Sequence, residues 1–490
     1  MKKSSIALGV AALMAGATAQ AGFLASGANG QIEVNPQGIG HKLVVPYFTV
    51  QGANVTLLNI VNHDNRNGKA VKVRFRGAAN SDDLFDFQLF LSPGDVWTAA
   101  VTQGADGKAR LTTADKSCTL PTNVNQSFVT HRLDSKSTKS LAEQTREGYV
   151  EIINMADIPP TLPPLGSTNS LFTAIKHVNG VAPCGAAVNN LATATIGDAI
   201  TLTTSGPMTS AGFDFPTTGL SADWIIINQQ TTTAWSGSAL ALQVTSAGAA
   251  TTGNFVFFSQ SATGVSTTTA SSYTADPLLT QGHVAAAEYD FPDLSTPYAG
   301  ISVTPDGYRD AVTAVLAKTS LANEFVTDPV IAAMTDLVMT QPTRRYYAAV
   351  NYGNTATAVY ANTPGVYGSG NTRVSDERVL CVNQNVVTGF TAYDREEKPL
   401  AGESAVISPG VPTQFLLCGE AVVTSINAGN ASMPSALRAT LARNNIELGL
   451  VDGWIQFNFA SPGLPVIGNA HLRAANGAVN YGFTWPHKTK

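Results

Sequence analysis

Residues 42–101 read KLVVPYFTVQGANVTLLNIVNHDNRNGKAVKVRFRGAANSDDLFDFQLFLSPGDVWTAAV, and this stretch decides the fold class. Five short β runs lie in it: 42–48, 54–62, 71–76, 84–91 and 95–101. Gln51-Gly52, Asn67-Gly68 and Pro93-Gly94 separate them, and Asp106-Gly107 follows. Asn-Gly and Asp-Gly tolerate positive φ and read as hairpin tips. In VKVRFR, Val71, Val73 and Phe75 share one face, while Lys72, Arg74 and Arg76 share the other. That alternation predicts a half-buried antiparallel strand. In the next run Phe85, Phe87, Leu89 and Leu91 form the apolar face, and Asp86 and Gln88 are placed to meet the basic residues opposite.

The pattern continues outward. Segment 112–147 is polar, with a short helix predicted over 140–147, and 148–156 returns to strand. IPPTLPPLG (158–166) reads as a stiff exposed loop. Residues 186–280 are rich in Ala, Thr, Ser and Gly but contain the strand runs 223–228, 238–244 and 254–258. Two helices are predicted, one over about 307–319 with Asp306 as N-cap and one over about 434–444 with Leu437 and Leu441 at i, i+4. The C-terminal strand runs are 344–352, 378–387, 413–423, 453–459 and 464–474. The expected fold is therefore mainly β: antiparallel β-sandwich domains, Ig-like or jelly-roll-like, with long loops and a few short helices. The expected division is 1–21 leader, 22–190 N-terminal sandwich, 191–300 Ala/Thr/Ser-rich β region, and 301–490 C-terminal β domain with two short helices.

The leader has three parts in order. Lys2 and Lys3 precede the apolar run 6–17, and Ala19-Gln20-Ala21 supplies a small-x-small cleavage site. This predicts a signal peptide of a Gram-negative-type cell and a mature chain starting at Gly22. Four cysteines in an exported chain predict two disulfides, Cys118–Cys184 and Cys381–Cys418, each within its own half. Charged residues are only 13% of the chain and the net charge is −5. No basic cluster exists, which excludes nucleic acid as a partner. A surface so poor in charge has little self-repulsion and suits subunits that pack side by side.

Catalytic signatures are missing: no G-x-S-x-G, H-E-x-x-H, P-loop or G-x-G-x-x-G occurs. The chain is therefore expected to be no enzyme and to carry no catalytic or cofactor-binding residue. His41, His63, His131, His177, His283, His471 and His487 are scattered, with none at i, i+4, and read as surface or turn residues. Asp82, Asp83 and Asp86 are candidate Ca²⁺ ligands, with a solvated acidic turn as the favoured alternative. Trp224, Trp235, Trp454 and Trp485 could stack on sugars, with a core role favoured for most.

The segments GHKLVVPYFTVQGANVTLLNIVN, GKAVKVRFRGAANSDDLFDFQLFLSPGDVWTAAV and REGYVEIINMADIP, with GWIQFNF and LPVIGNAHL near the end, resemble β-proteobacterial surface-layer proteins. These coat the outer membrane and, in some species, the tubular extrusions called nanopods. The resemblance implies a self-assembling structural protein on the cell exterior. Its partners would be copies of itself and outer-membrane lipid or lipopolysaccharide. Two alternatives remain open: a secreted adhesin or glycan-binding module, and an outer-membrane porin. The short, uneven strands speak against the porin.

Overall fold

The computed structural model describes residues 31–162, 167–192, 210–246, 249–253, 255, 305–397, 415–427 and 435–490. The leader, most of the strand run 254–258, the Asp306 side chain and Pro434 lie outside the described residues. The fold is mainly β, built of antiparallel sheets with a few short helices.

In the N-terminal half the strands are β1 (Gln31–Val34), β2 (Lys42–Thr49), β3 (Asn54–Asn62), β4 (Gly68–Gly77), β5 (Asp83–Leu91), β6 (Val96–Gln103), β7 (Ala109–Thr112), β8 (Cys118–Leu120), β9 (Glu147–Ile158), β10 (Leu220–Asn228), β11 (Thr233–Ser238) and β12 (Leu240–Ser246). One sheet has the order β1-β12-β2-β9-β4-β5-β8, and the other the order β11-β10-β3-β6-β7. Asp106-Gly107 does turn a hairpin, since β6 pairs with β7 and Gly107 has φ +76°. Asn67-Gly68 does not. β3 pairs with β6 and β10, whereas β4 pairs with β5 and β9, so the chain changes sheet there. The Asp64 carboxylate, accepting from the N–H groups of Arg66 and Asn67, shapes this crossing in place of a two-residue hairpin. The turns at Gln51-Gly52 and Pro93-Gly94 also cross between the sheets. Repeated crossing is what makes these strands a sandwich instead of a meander.

The interior is apolar, as the alternation predicts. Phe48, Phe75, Phe85, Phe87, Trp97 and Phe128 are buried in it, with ring centroids 5.0–5.9 Å apart along the chain of contacts. The expectation of a half-buried β4 is corrected: every residue of the strand is buried. Its basic face does not meet water because the C-terminal half lies over it.

That half contains a helix, α1 (Pro305–Leu316), which corresponds to the helix expected over 307–319, with Val312 and Leu316 buried. Its strands are β13 (Ser320–Val326), β14 (Met334–Thr340), β15 (Thr372–Val374), β16 (Leu380–Val382), β17 (Val387–Tyr393), β18 (Leu417–Cys418), β19 (Ala421–Asn427), β20 (Arg443–Glu447), β21 (Asp452–Phe459), β22 (Asn469–Asn476), β23 (Val479–Pro486) and β24 (Lys488–Thr489). They form sheets of order β17-β21-β13-β24 and β20-β19-β14-β22-β23, and a small sheet β15-β16-β18. A second core lies between the two larger sheets, around Leu337, Ile426, Ile455, Phe457 and Ala470.

The helix expected over 434–444 is not formed. Residues 435–442 make turns, Arg438 has φ +61°, and β20 begins at Arg443. The Asp336 carboxylate competes for this backbone: it accepts from Leu437 N–H at 2.8 Å and from the Ser435 hydroxyl, fixing a turn. Leu437 and Leu441 are still buried, so their spacing reported burial and misreported conformation. The apolar cluster that contains them also contains Val44, Val73 and Trp224, so the two halves share one core.

Candidate functional site

Both expected disulfides are present. Cys118–Cys184 ties β8 to the segment before a short helix, Gly185–Asn189, and Cys381–Cys418 joins residues directly opposite on β16 and β18.

The seam between the halves is charged and buried. Lys42 donates to Glu151 at 2.7 Å, and Arg74 and Arg76 lie 3.7 and 3.8 Å from the same carboxylate. Tyr346 of the C-terminal half meets both guanidinium groups through its hydroxyl, at 3.3 and 3.0 Å. Glu420 is buried against Arg344 at 3.0 Å and accepts from Arg345 N–H at 3.2 Å and Tyr149 Oη at 3.4 Å. Glu147 accepts from the Tyr47 hydroxyl at 2.9 Å and from Thr440 N–H at 2.8 Å. Burial pushes the Glu147, Glu420 and Asp336 carboxyls up from their usual range, against the hydrogen bonds and cations that pull them down.

The candidate calcium ligands are dispersed into separate contacts. Asp82 accepts from the Tyr352 hydroxyl at 2.6 Å, Asp83 pairs with Arg132 at 2.7 Å, and Asp86 pairs with Lys72 at 2.5 Å. Among the described residues no group of three or more His, Cys, Asp or Glu is arranged to hold a metal ion. The reading of the histidines as surface residues is corrected for His41 and His471, which are buried. Burial lowers both to about 3. Trp224 and Trp235 are core residues, with the Trp235 indole donating to Leu472 O at 2.8 Å. Trp454 is the exposed one, 39% accessible and stacked on Tyr393 at 4.7 Å.

A cleft of about 330 Å³ opens where the halves meet, lined by Val34, Pro46, Leu240, Leu316, Val466 and His487 among others. Ser238, Lys318, Asn469, His487 and Thr489 contribute polar groups to its lining.

The feature that stands apart from ordinary surface is β23. It ends its sheet and contains no charged residue from Val479 to Pro486. Edge strands are usually guarded by charge or proline. Here Val479, Tyr481 and Phe483 alternate outward and are 54%, 45% and 50% exposed. Phe483 stacks on Trp485, and beneath them lie Leu472, Ala474 and Ala333. Val330 and Ile331, in the short helical turn Pro329–Ile331 beside β22, add to the exposed apolar surface. The strand is held firmly from its other face. A Cβ on Gly482 would sit 2.1 Å from Ala234 O, so glycine alone lets β23 close onto β11. The exposed row is thus presented on a fixed support. No strand was expected over 479–486; the alternation of VNYGFTWP is the signal that could have found it.

No protein-family model, characterised protein or solved structure matches this chain. Among the described residues no helix is long and apolar enough to cross a membrane.

Proposed function

We infer that this is an exported structural protein that assembles with copies of itself at the cell surface. The observation that carries the reading is the uncharged edge strand β23, with Val479, Tyr481 and Phe483 displayed outward. Exposed apolar rows of this kind mark contact surfaces. The charge-poor composition supports close packing of subunits, and two disulfides suit an oxidising compartment outside the cytoplasm. A row that meets a different patch on the next copy makes a head-to-tail contact, which propagates into an open array. Sedimentation and electron microscopy of the purified protein, with and without Ca²⁺, test this. Sheets, tubes or large oligomers are expected. A protein that stays monomeric at high concentration in both conditions refutes the reading.

One observation favours a second reading, a glycan-binding module. Tyr393 and Trp454 are cross-strand neighbours on the outer face of a sheet, beside Glu324 and its partner Lys488. An aromatic platform with flanking polar groups is suited to sugar rings. Glycan-array binding lost in Trp454→Ala, in a protein that remains monomeric, would favour it over assembly.

A further inference from the structure

Lys69 lies near the start of β4 on the face that carries Val71 and Val73, so its side chain enters the end of the sandwich interior. It is fully buried. Asp157 of β9 stands directly opposite in the ladder, is also buried, and places Oδ1 2.7 Å from Lys69 Nζ. Asp64, in the crossing from β3 to β4, brings a second carboxylate to 3.3 Å from the same nitrogen. Thr217 Oγ1 is 2.7 Å from Nζ and donates to Asp157 Oδ2 at 2.5 Å. Asn154 Nδ2 donates to Asp157 Oδ1 at 3.0 Å, and Asn67 Nδ2 to Oδ2 at 3.4 Å. Gly219 closes the site: a Cβ there would lie 3.3 Å from Lys69 Cε.

The geometry points to a covalent modification: an isopeptide bond between Lys69 Nζ and Asp157 Cγ, formed within the folded chain with Asp64 as the proton carrier. A buried ion pair is costly, and in the proposed step transfer of one proton from the ammonium to Asp157 leaves a neutral amine and a neutral acid in its place. Burial pushes the Asp157 carboxyl up, against the pull of Lys69. The amine then attacks Cγ. The donors on Asp157, Thr217 and the two asparagines, stabilise the charge that develops on oxygen. Burial works to raise Asp64, but the N–H groups of Asn67 and Arg66 outweigh it and hold the carboxyl below its usual range, ionised. Asp64 can therefore take the proton from the attacking nitrogen and return it to the departing hydroxyl. One C–N bond forms, one C–O bond breaks, and one water leaves; no oxidant or co-reactant enters. Ladder register holds the amine beside the acid, which supplies the proximity such a condensation needs.

Glu151, beside Lys42, differs in that it also faces Arg74 and Arg76. The cross-link would join two central strands of the larger N-terminal sheet, at residues 88 apart in sequence. This inference does not depend on the assembly reading. Mass spectrometry of the purified chain, reduced and denatured, tests it. We expect digestion to give a branched peptide joining the Lys69 and Asp157 segments, lighter by one water than the two together. Lys69→Arg should release the two segments as separate peptides of full mass. Asp64→Asn, with folding checked by circular dichroism, should leave most chains unlinked. Separate peptides of full mass from the wild-type protein overturn the inference, as does a water loss confined to one unbranched peptide.

Discussion

The sheet β20-β19-β14-β22-β23 treats its two faces in opposite ways. On one face Asp336 and His471 are register partners, both buried where the sheet lies on the N-terminal half, with the Trp224 ring 5.6 Å from His471. On the other, Tyr481 and Phe483 stand about half exposed at the edge. Farther in along that second face Leu337, Ile426 and Ala470 are buried in the second core, so the exposed aromatics belong to its β23 end. The buried groups have partners in both halves: Asp336 is held within its own half, and His471 lies against Trp224 of the N-terminal half. Asp336 alone accepts from Ser425, Ser435 and Leu437 N–H. The aromatics have no such neighbour among the described residues. The contrast is between buried charge matched within one chain and an aromatic row that the described residues leave about half exposed.

The sharpest way to break the comparison is to remove a charge from the seam. Glu420→Gln leaves Arg344 buried without its carboxylate and should cost about 3–5 kcal/mol, the usual penalty for breaking a buried pair. Urea denaturation measures it. Because the halves share a core, both should unfold at the lowered midpoint. Next in size is the Cys381–Cys418 bridge, which joins residues 37 apart in sequence. Replacing both cysteines by serine should cost roughly 2–4 kcal/mol in the same assay.

A pH titration sharpens the comparison further. Burial, and secondarily the charge of His487, lowers His471 from 6.5 to about 3. Unfolding therefore takes up a proton between those values, and stability falls as pH drops through that window. The raised carboxyls of Glu147, Asp336 and Glu420 work in the opposite direction, because the folded state takes up their protons first. His471→Phe isolates the histidine's share: the variant should lose about 2.5 kcal/mol less than the wild type between pH 7 and pH 4.5. Equal losses would remove the histidine from the account. The smallest effect on stability belongs to the exposed row. Tyr481→Ser with Phe483→Ser should change folding by only about 0.5 kcal/mol, yet abolish assembly in sedimentation if β23 is the contact. Unchanged assembly would move the contact elsewhere.

Much of the architecture was legible in residue order. Period-two alternation in 71–76 and 84–91 depends only on local strand geometry, so the apolar faces came out correctly. The even cysteine count and its spacing led to both bridges. Local signals failed where a distant group intervened. Asn67-Gly68 became a crossing between sheets under the hold of Asp64, and 435–442 became turns under the hold of Asp336, about 100 residues away.

By itself the sequence determined that the protein is mainly β, which residues face the sandwich interior, and that the surface is poor in charge. Tertiary structure alone decided where the charges went. Lys72, Arg74 and Arg76 look solvent-bound in sequence, because half of a strand's side chains normally face water. Arg74 and Arg76 are buried because Tyr346, more than 250 residues further on, comes over the face where Glu151 stands opposite Arg74 in the ladder, and Lys72 is buried beside Asp86 of the next strand. No periodicity records such a meeting, since its partners share no local spacing and the cost of burying charge is offset only once both halves have closed.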